Sequence, residues 1–297
     1  MNLPGQKTID NKYDWPGEKE DNPIIWSEYK KTIPKDFQQF NGWLGYPVKE
    51  GREYPIFPYE LEVRDRILKH RHVVINKFVG AGMTELIPRI MLDMMLNFDD
   101  LHYSEFAIIS GTRMKFTVEI IKNRILPIIL RNHHEIIDYS VNEEIKLING
   151  RFIRGYPTEN LPAMHGADKL QFIFVDEAAF FHPNVQEQLM IALERNDTKS
   201  QPHIVLNSTP NGPEGAFYRT YLDALSLEND YDPITLNYTL GIGTIFTEKD
   251  LEIIENKKRT NPRLFDQEYN NQFIAPLGAV LPPLDDSVIS DRTGITL

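Results

Sequence analysis

The stretch 75-INKFVGAGMTEL-86 decides how the rest of the chain is read. An apolar run leads into two glycines, and a threonine follows where the backbone can turn into a helix. That is the layout of a phosphate-binding loop, written G-x-x-x-x-G-K-[ST]. Its glycines let backbone N–H groups close around phosphate, its lysine neutralises the oxygens, and its hydroxyl ligates Mg²⁺. Here the frame falls on Lys77, Gly82, Met83 and Thr84, so lysine holds the first position and methionine the seventh. A lysine six residues early stands at the strand end on the rim of the same loop, and its long stem can reach the same phosphates. Val79, Gly80, Ala81, Gly82 and Met83 would then supply backbone, Lys77 the charge and Thr84 the metal-binding hydroxyl. A plain glycine-containing strand-to-helix turn is the alternative.

Outward from the loop the pattern alternates. A helix is expected over 59-YELEVRDRILKH-70 and a strand over 72-HVVIN-76. An apolar helix, 84-TELIPRIMLDMMLNF-98, follows the loop, with Pro88 in its first turns, where proline is best tolerated. Strand 106-FAIISG-111 and helix 114-MKFTVEIIKNRILPIILRN-132 come next, then short strand-like runs over 136–155. Strand 171-QFIFVDE-177 precedes a helix near 184–195, and strand 203-HIVLNST-209 precedes helix 214-EGAFYRTYLDAL-225. The run 233-PITLNY-238 suits a further strand and 248–272 suits helix. Apolar strands bounded by helices imply an α/β fold with a mainly parallel sheet covered on both faces. Residues 1–55, rich in Pro, Gly, Asp, Lys and aromatics, are expected to form an arm or lid. Residues 56–275 should form the core and 276–297 a linker or tail.

The bulk composition sets limits. The 297 residues include 41% hydrophobic and 25% charged, enough to build one large core. No cysteine is present, which excludes disulfide scaffolds, cysteine zinc sites and thiol catalysis. No apolar run approaches the roughly 20 residues of a membrane helix, and the polar N-terminus lacks a signal-peptide core. An intracellular soluble protein is the expectation. A net charge of -11 argues against a histone-like basic coat but leaves room for a local DNA-binding patch. Residues 64–135 carry eleven Lys and Arg against eight Asp and Glu. The cluster 69-KHRH-72 with Arg113, Lys115, Lys122, Arg124 and Arg131 could contact phosphates; an ordinary solvated face is the alternative.

Two further groups bear on chemistry. In 171-QFIFVDEAAFF-181 a buried strand ends in Asp176 and Glu177, which belong at the crevice where α/β sheets bind ligands. Asp176 suits a Mg²⁺ shell, and Glu177 is placed to orient and deprotonate an attacking water. A solvated strand end that caps the next helix is the bland alternative. Strand 203-HIVLNSTPNG-212 ends in Asn207, Ser208 and Thr209, which could sense a γ-phosphate or simply build a turn.

Taken in order, 57-FPYE-60, the loop with its early lysine, VDEAAFF, NSTPNGPEGAFY and 265-FDQEYNNQFIA-275 resemble the ATPase domain of the large terminases of tailed viruses. Those proteins drive double-stranded DNA into preformed capsids, and some carry the phosphate-loop lysine at the early position. The resemblance covers about residues 56–280 and implies a P-loop NTPase of the RecA-like ASCE type. It implies an ATP hydrolase dependent on Mg²⁺, with Lys77 and the Gly80–Gly82 backbone on phosphates, Thr84 and Asp176 on the metal and Glu177 as base. Ser208 and Thr209 would form the coupling motif. It further implies a homo-oligomeric ring, an arginine supplied by a neighbouring subunit, and portal and small-terminase partners. The setting would be the cytoplasm of an infected cell, with transient docking on the procapsid. Two positions depart from the family. Glu60 stands where a glutamine often reads adenine, and a carboxylate cannot donate to a ring nitrogen. His165-Gly166 stands where Arg-Gly is common. Large terminases continue into an RNase H-like nuclease. Asp285, Asp286 and Asp291 lie in a short tail, so no nuclease activity is expected of this chain. A helicase-like ATPase and a non-hydrolysing assembly protein with a degenerate site at Met83 are the competing readings.

Overall fold

In the computed structural model, residues 25–275 are described, apart from 112, 113, 160, 162, 163, 165, 166 and 168. The first 24 residues, Arg113, His165-Gly166 and the aspartates after 275 lie outside the described residues.

Helix α1 (Trp26–Tyr29) leads to α2 (Phe37–Leu44), which starts where the Asp36 carboxylate accepts the Gln39 N–H at 2.9 Å. A two-stranded hairpin, β1 (Val48–Lys49) and β2 (Arg52–Glu53), follows. Helix α3 (Pro58–Lys69) has proline at its start, Glu60 in its first turn and Arg66 and Lys69 in its last, all matching the helix dipole. It feeds β3 (His72–Lys77), and the loop after β3 opens into α4 (Met83–Asn97). Helix α4 runs unbroken through Pro88 and is buried along nearly its whole length, because it lies between the sheet and the N-terminal helices. Strand β4 (Glu105–Ser110) precedes α5 (Met114–Ile120) and α6 (Leu126–Asn132). The single helix expected over 114–132 contains a π turn at Ile121–Ile125, just before Pro127, whose missing N–H and ring disrupt α-type bonding.

The 136–155 runs form β5 (Ile137–Val141), β6 (Glu144–Leu147) and β7 (Phe152–Gly155). Strand β8 (Leu170–Asp176), α7 (Pro183–Ser200), β9 (His203–Ser208), α8 (Gly215–Leu225) and β10 (Asp232–Leu236) complete the alternation. The C-terminal helical region splits into α9 (Glu248–Thr260) and α10 (Pro262–Glu268), because a residue before proline is pushed out of helical geometry.

All strands from β3 onward join one eight-stranded sheet in the order β10-β3-β9-β8-β4-β7-β6-β5. Pairing is parallel from β10 through β7 and antiparallel from β7 to β5. The fold is therefore α/β with a mostly parallel central sheet flanked by helices. Strand β9 stands between the loop strand β3 and the acidic strand β8. One apolar core joins β3, α3 and α4 to Phe37, Phe40 and Leu44 of α2, so part of the segment expected to be an arm is woven into the body. The other core, on the opposite face, packs α7 and α8 against β8 and β9. Because the central strands are parallel, their carboxyl ends open on one rim, where a ligand site is expected.

Candidate nucleotide-binding site

Lys77 is the last residue of β3 and Asp176 the last of β8, so the sheet brings the loop and the acidic pair to the same rim. Gly80 and Gly82 adopt φ of 89° and 79°, a region costly for residues with a Cβ. A Cβ on Gly82 would lie 3.1 Å from Glu60 Oε1 and 3.3 Å from Ile245 Cδ1, so beyond the torsion a side chain there needs both neighbours to give by a few tenths of an ångström. The Tyr59 hydroxyl donates to the Ala81 carbonyl at 3.1 Å and ties the loop to α3. Met83 is only 1% exposed and packs in the core with Leu86 and Ile87 of its own helix. Methionine at the seventh position of the frame is therefore a packing residue.

The charged groups converge. Lys77 Nζ donates to Glu177 Oε1 at 3.0 Å, with the lysine side chain buried and Glu177 part-exposed. Thr84 Oγ1 donates to Asp176 Oδ2 at 2.9 Å, and Asn207 Nδ2 donates to Asp176 Oδ1 at 2.6 Å. Asp176 sits in direct register with Asn207 on β9. Burial first, and then the neighbouring Glu177 charge, raise the Asp176 pKa; Lys77, Asn207 and Thr84 oppose that shift. Glu177 has φ 55°, left-handed and rare for its residue type, which turns its side chain back toward Lys77. Such conformations are typical of functional turns and cost of order 1–3 kcal/mol.

Ser208 and Thr209 reach the same rim by different routes. Ser208 Oγ accepts the Ala179 N–H at 3.1 Å and donates to the Thr209 carbonyl at 2.8 Å, while Thr209 lines the cavity. Asn211 Nδ2 donates to the Ala179 carbonyl, and Gln186 bridges the Phe181 carbonyl and the Phe217 N–H. The turn after the acidic pair is thus tied to the end of β9. Asn207 stood in the expected phosphate-sensing strand end, and the register of β9 beside β8 shows that it holds Asp176. Asn211 and Gln186 carry no sequence signal for the contacts they make.

A cavity of about 1100 Å³ opens over these groups, slightly above the usual size of ligand sites. Lys77, Gly80, Thr84, Asp176 and Glu177 all line it. Tyr54, Ile56, Phe57, Ile245 and Phe246 contribute apolar and aromatic wall, and Glu60, Glu85, Arg89 and Asp250 contribute charge. Glu60 is 7% exposed, and its Oε2 accepts the Phe57 N–H at 2.9 Å. Burial is the main reason its pKa rises from 4.5 to about 7; Glu85 adds to the shift, while the Phe57 bond and Arg89 oppose it. Arg124 and Arg131 also line this cavity, whereas Arg71 and His72 at the opposite end of β3 pair with Asp197. Lys115 faces Glu119 at 3.6 Å.

A threonine hydroxyl beside one buried carboxylate fits Mg²⁺, which takes few protein oxygens and completes its shell with water and phosphate. Among the described residues no cluster of three or more His, Asp and Glu offers an all-protein metal cage. No helix among them is long and apolar enough to cross a membrane.

The sequence matches no protein-family model, and no curated protein is significantly similar to it. Solved structures do match. The large terminase ATPase domain of Thermus phage P74-26 aligns at a TM-score of 0.58 with 16% identity, over 80% of this chain and 98% of that one. The large terminase of bacteriophage HK97 aligns at 0.65 with 15% identity, over 88% of this chain and 58% of that one. The large terminase of a thermophilic bacteriophage, solved in complex with ADP, aligns at 0.54 with 14% identity, over 74% of this chain and 54% of that one. The fold is that of large terminase ATPase domains, and the chain spans a little over half the length of the HK97 protein and of the ADP-bound one.

Proposed function

We propose that this chain is an ATP-hydrolysing motor that moves double-stranded DNA into a viral capsid, with its lysine relocated to the strand end. The observation that carries the reading is the convergence of Lys77, Thr84, Asp176 and Glu177 on one cavity rim, across three neighbouring strands of a terminase-like sheet. ATP is the substrate: its phosphates would lie against the Gly80–Thr84 backbone, whose N–H groups and helix start favour anions. Lys77 neutralises β- and γ-phosphate oxygens. Glu177 accepts a proton from water as the water oxygen bonds to the γ-phosphorus and the bond to the ADP oxygen breaks. Thr84 and Asp176 would hold Mg²⁺, which supplies charge neutralisation of the phosphate oxygens. Ser208 and Thr209 carry the change in phosphate occupancy to the turn at Ala178–Phe180.

In the same cavity Glu60, which lies beside Gly82, would face the base. In its neutral form it offers both an O–H donor and a carbonyl acceptor, the pair that adenine needs; ionised, it only accepts. Ring assembly, an arginine from a neighbouring subunit, portal and small-subunit contacts and residence in an infected cell's cytoplasm belong to the same reading. The test is a packaging reaction with procapsids and linear double-stranded DNA. DNA should become protected from added nuclease only with ATP, and Glu177→Gln should abolish protection. Protection without ATP, or undiminished in Glu177→Gln, contradicts the reading.

A further inference from the structure

Lys77 leaves the sheet on the final residue of β3, so its aim depends on the backbone of the strand exit. A lysine in the usual frame sits on the first helical turn, whose own hydrogen bonds aim it. Here one distant segment grips the chain on both sides of the lysine. Asn271 Nδ2 donates to the Asn76 carbonyl at 3.0 Å and to Asn76 Oδ1 at 3.3 Å, and Asn76 Nδ2 returns a bond to the Asn271 carbonyl at 3.1 Å. On the other side, the Val79 N–H donates to the Glu268 carbonyl at 2.8 Å. The exit of β10 joins the same brace, with Phe78 N–H on the Leu236 carbonyl and Tyr238 N–H on the Tyr269 carbonyl.

The clasp is costly to keep. Asn76 and Asn271 are 1% and 7% exposed, Asn271 Oδ1 has no partner among the described residues, and Asn271 holds φ at 61°. Glycine would suit that torsion better and an apolar side chain would suit the burial better. Asparagine is the residue that tolerates the torsion while holding the strand-exit carbonyl in place.

We propose that Asn271 is a positioning residue for Lys77, and that segment 268–271 aims the relocated lysine at the phosphate loop. The proposal rests on the nucleotide-site reading above. It explains how a lysine on a strand end can replace one on a helix, since displacement of a reacting group by 1 Å can cost on the order of 10²-fold.

The test measures the Kd for ATPγS with Mg²⁺ by calorimetry on the full chain, alongside Tm. Asn271→Gly keeps the torsion and deletes the amide; it should weaken binding about tenfold with little change in Tm. Lys77→Ala should weaken binding as well, and Lys77→Ala with Asn271→Gly should bind no more weakly than Lys77→Ala alone. Should Asn271→Gly lower Tm substantially, Asn271→Asp replaces it: same size, same torsional tolerance, no donor for the Asn76 carbonyl. Wild-type affinity in the Asn271 variants, or an equal further loss in the Lys77→Ala background, overturns the proposal. If the wild type itself does not bind ATPγS, the site reading falls and this inference falls with it. If the wild type binds and only Lys77→Ala matters, the inference fails alone.

Discussion

Met83 and Lys77 show how a residue's neighbours decide its meaning. The loop frame was legible in the sequence, and so was the stray lysine, but not the reason methionine is accepted. Met83 packs in a core and borders the cavity, so it occupies a packing position. Met83→Leu should therefore leave ATP turnover within about twofold, because volume-conserving apolar swaps are tolerated. Met83→Lys, which restores the usual frame, should instead cost about 3 kcal/mol or more by burying an ammonium, as a urea unfolding curve would register. Glu60 supplies a pH prediction. Its carboxyl has a pKa of about 7 in the fold against 4.5 in the unfolded reference. Between those pH values the folded chain holds the proton and the unfolded chain has released it. Stability therefore falls as pH rises through that window, by an amount of order 3 kcal/mol, and the loss is complete above pH 7. Thermal melts at pH 5, 6, 7 and 8 should show the Tm advantage of Glu60→Gln growing with pH. An advantage that stays constant would contradict the burial argument. The same variant should flatten any rise in the KM for ATP between pH 6 and 8, since an amide donates and accepts at every pH.

Among the elements, strand identity was the legible part and strand order was not. Runs such as 72-HVVIN-76 and 171-QFIFVDE-177 are apolar enough to announce buried parallel strands. Nothing local in them says that β9 inserts between β3 and β8, because parallel pairing joins residues far apart in sequence. That insertion places Asn207 against Asp176 and Ser208 against the turn after Glu177, so the partner of Asn207 was not legible although its place at the strand end was. Helix continuity was read correctly through Pro88 and misjudged at Pro127 and Pro262. Helix α4 absorbs Pro88 whereas a π turn precedes Pro127, and only the packing around each separates the two cases. The loop offers the element's own prediction. Gly82→Ala forces a side chain into φ 79° and against Glu60 Oε1, so it should destabilise by roughly 1–2 kcal/mol and raise the KM for ATP. A fully wild-type KM would mean that the loop backbone does not approach the nucleotide.

For the whole molecule, the rim of the parallel sheet gathers the loop, the acidic pair and the end of β9 into one body resting on two cores. The expected DNA-contacting patch is not gathered on one face. Basic side chains counted along the sequence are dispersed in space: Arg71 pairs with Asp197, and Arg124 and Arg131 line the cavity. Net charge cannot reveal such local pairing. A ligand that binds only the folded state should stabilise the whole body by about 2.7 kcal/mol at a hundred times its Kd, which corresponds to a rise in Tm of several degrees. ATPγS with Mg²⁺ should produce that rise in the wild type and much less of it in Lys77→Ala. The measurement that bears most directly on the relocated lysine is steady-state hydrolysis of ATP with Mg²⁺ at high protein concentration, which favours assembly, for wild type, Lys77→Ala, Met83→Leu and Glu177→Gln. The account predicts turnover in the wild type and in Met83→Leu, with losses on the order of 10²-fold or more in the other two. Turnover that survives Lys77→Ala, or a wild type that binds ATP and never hydrolyses it, would contradict it.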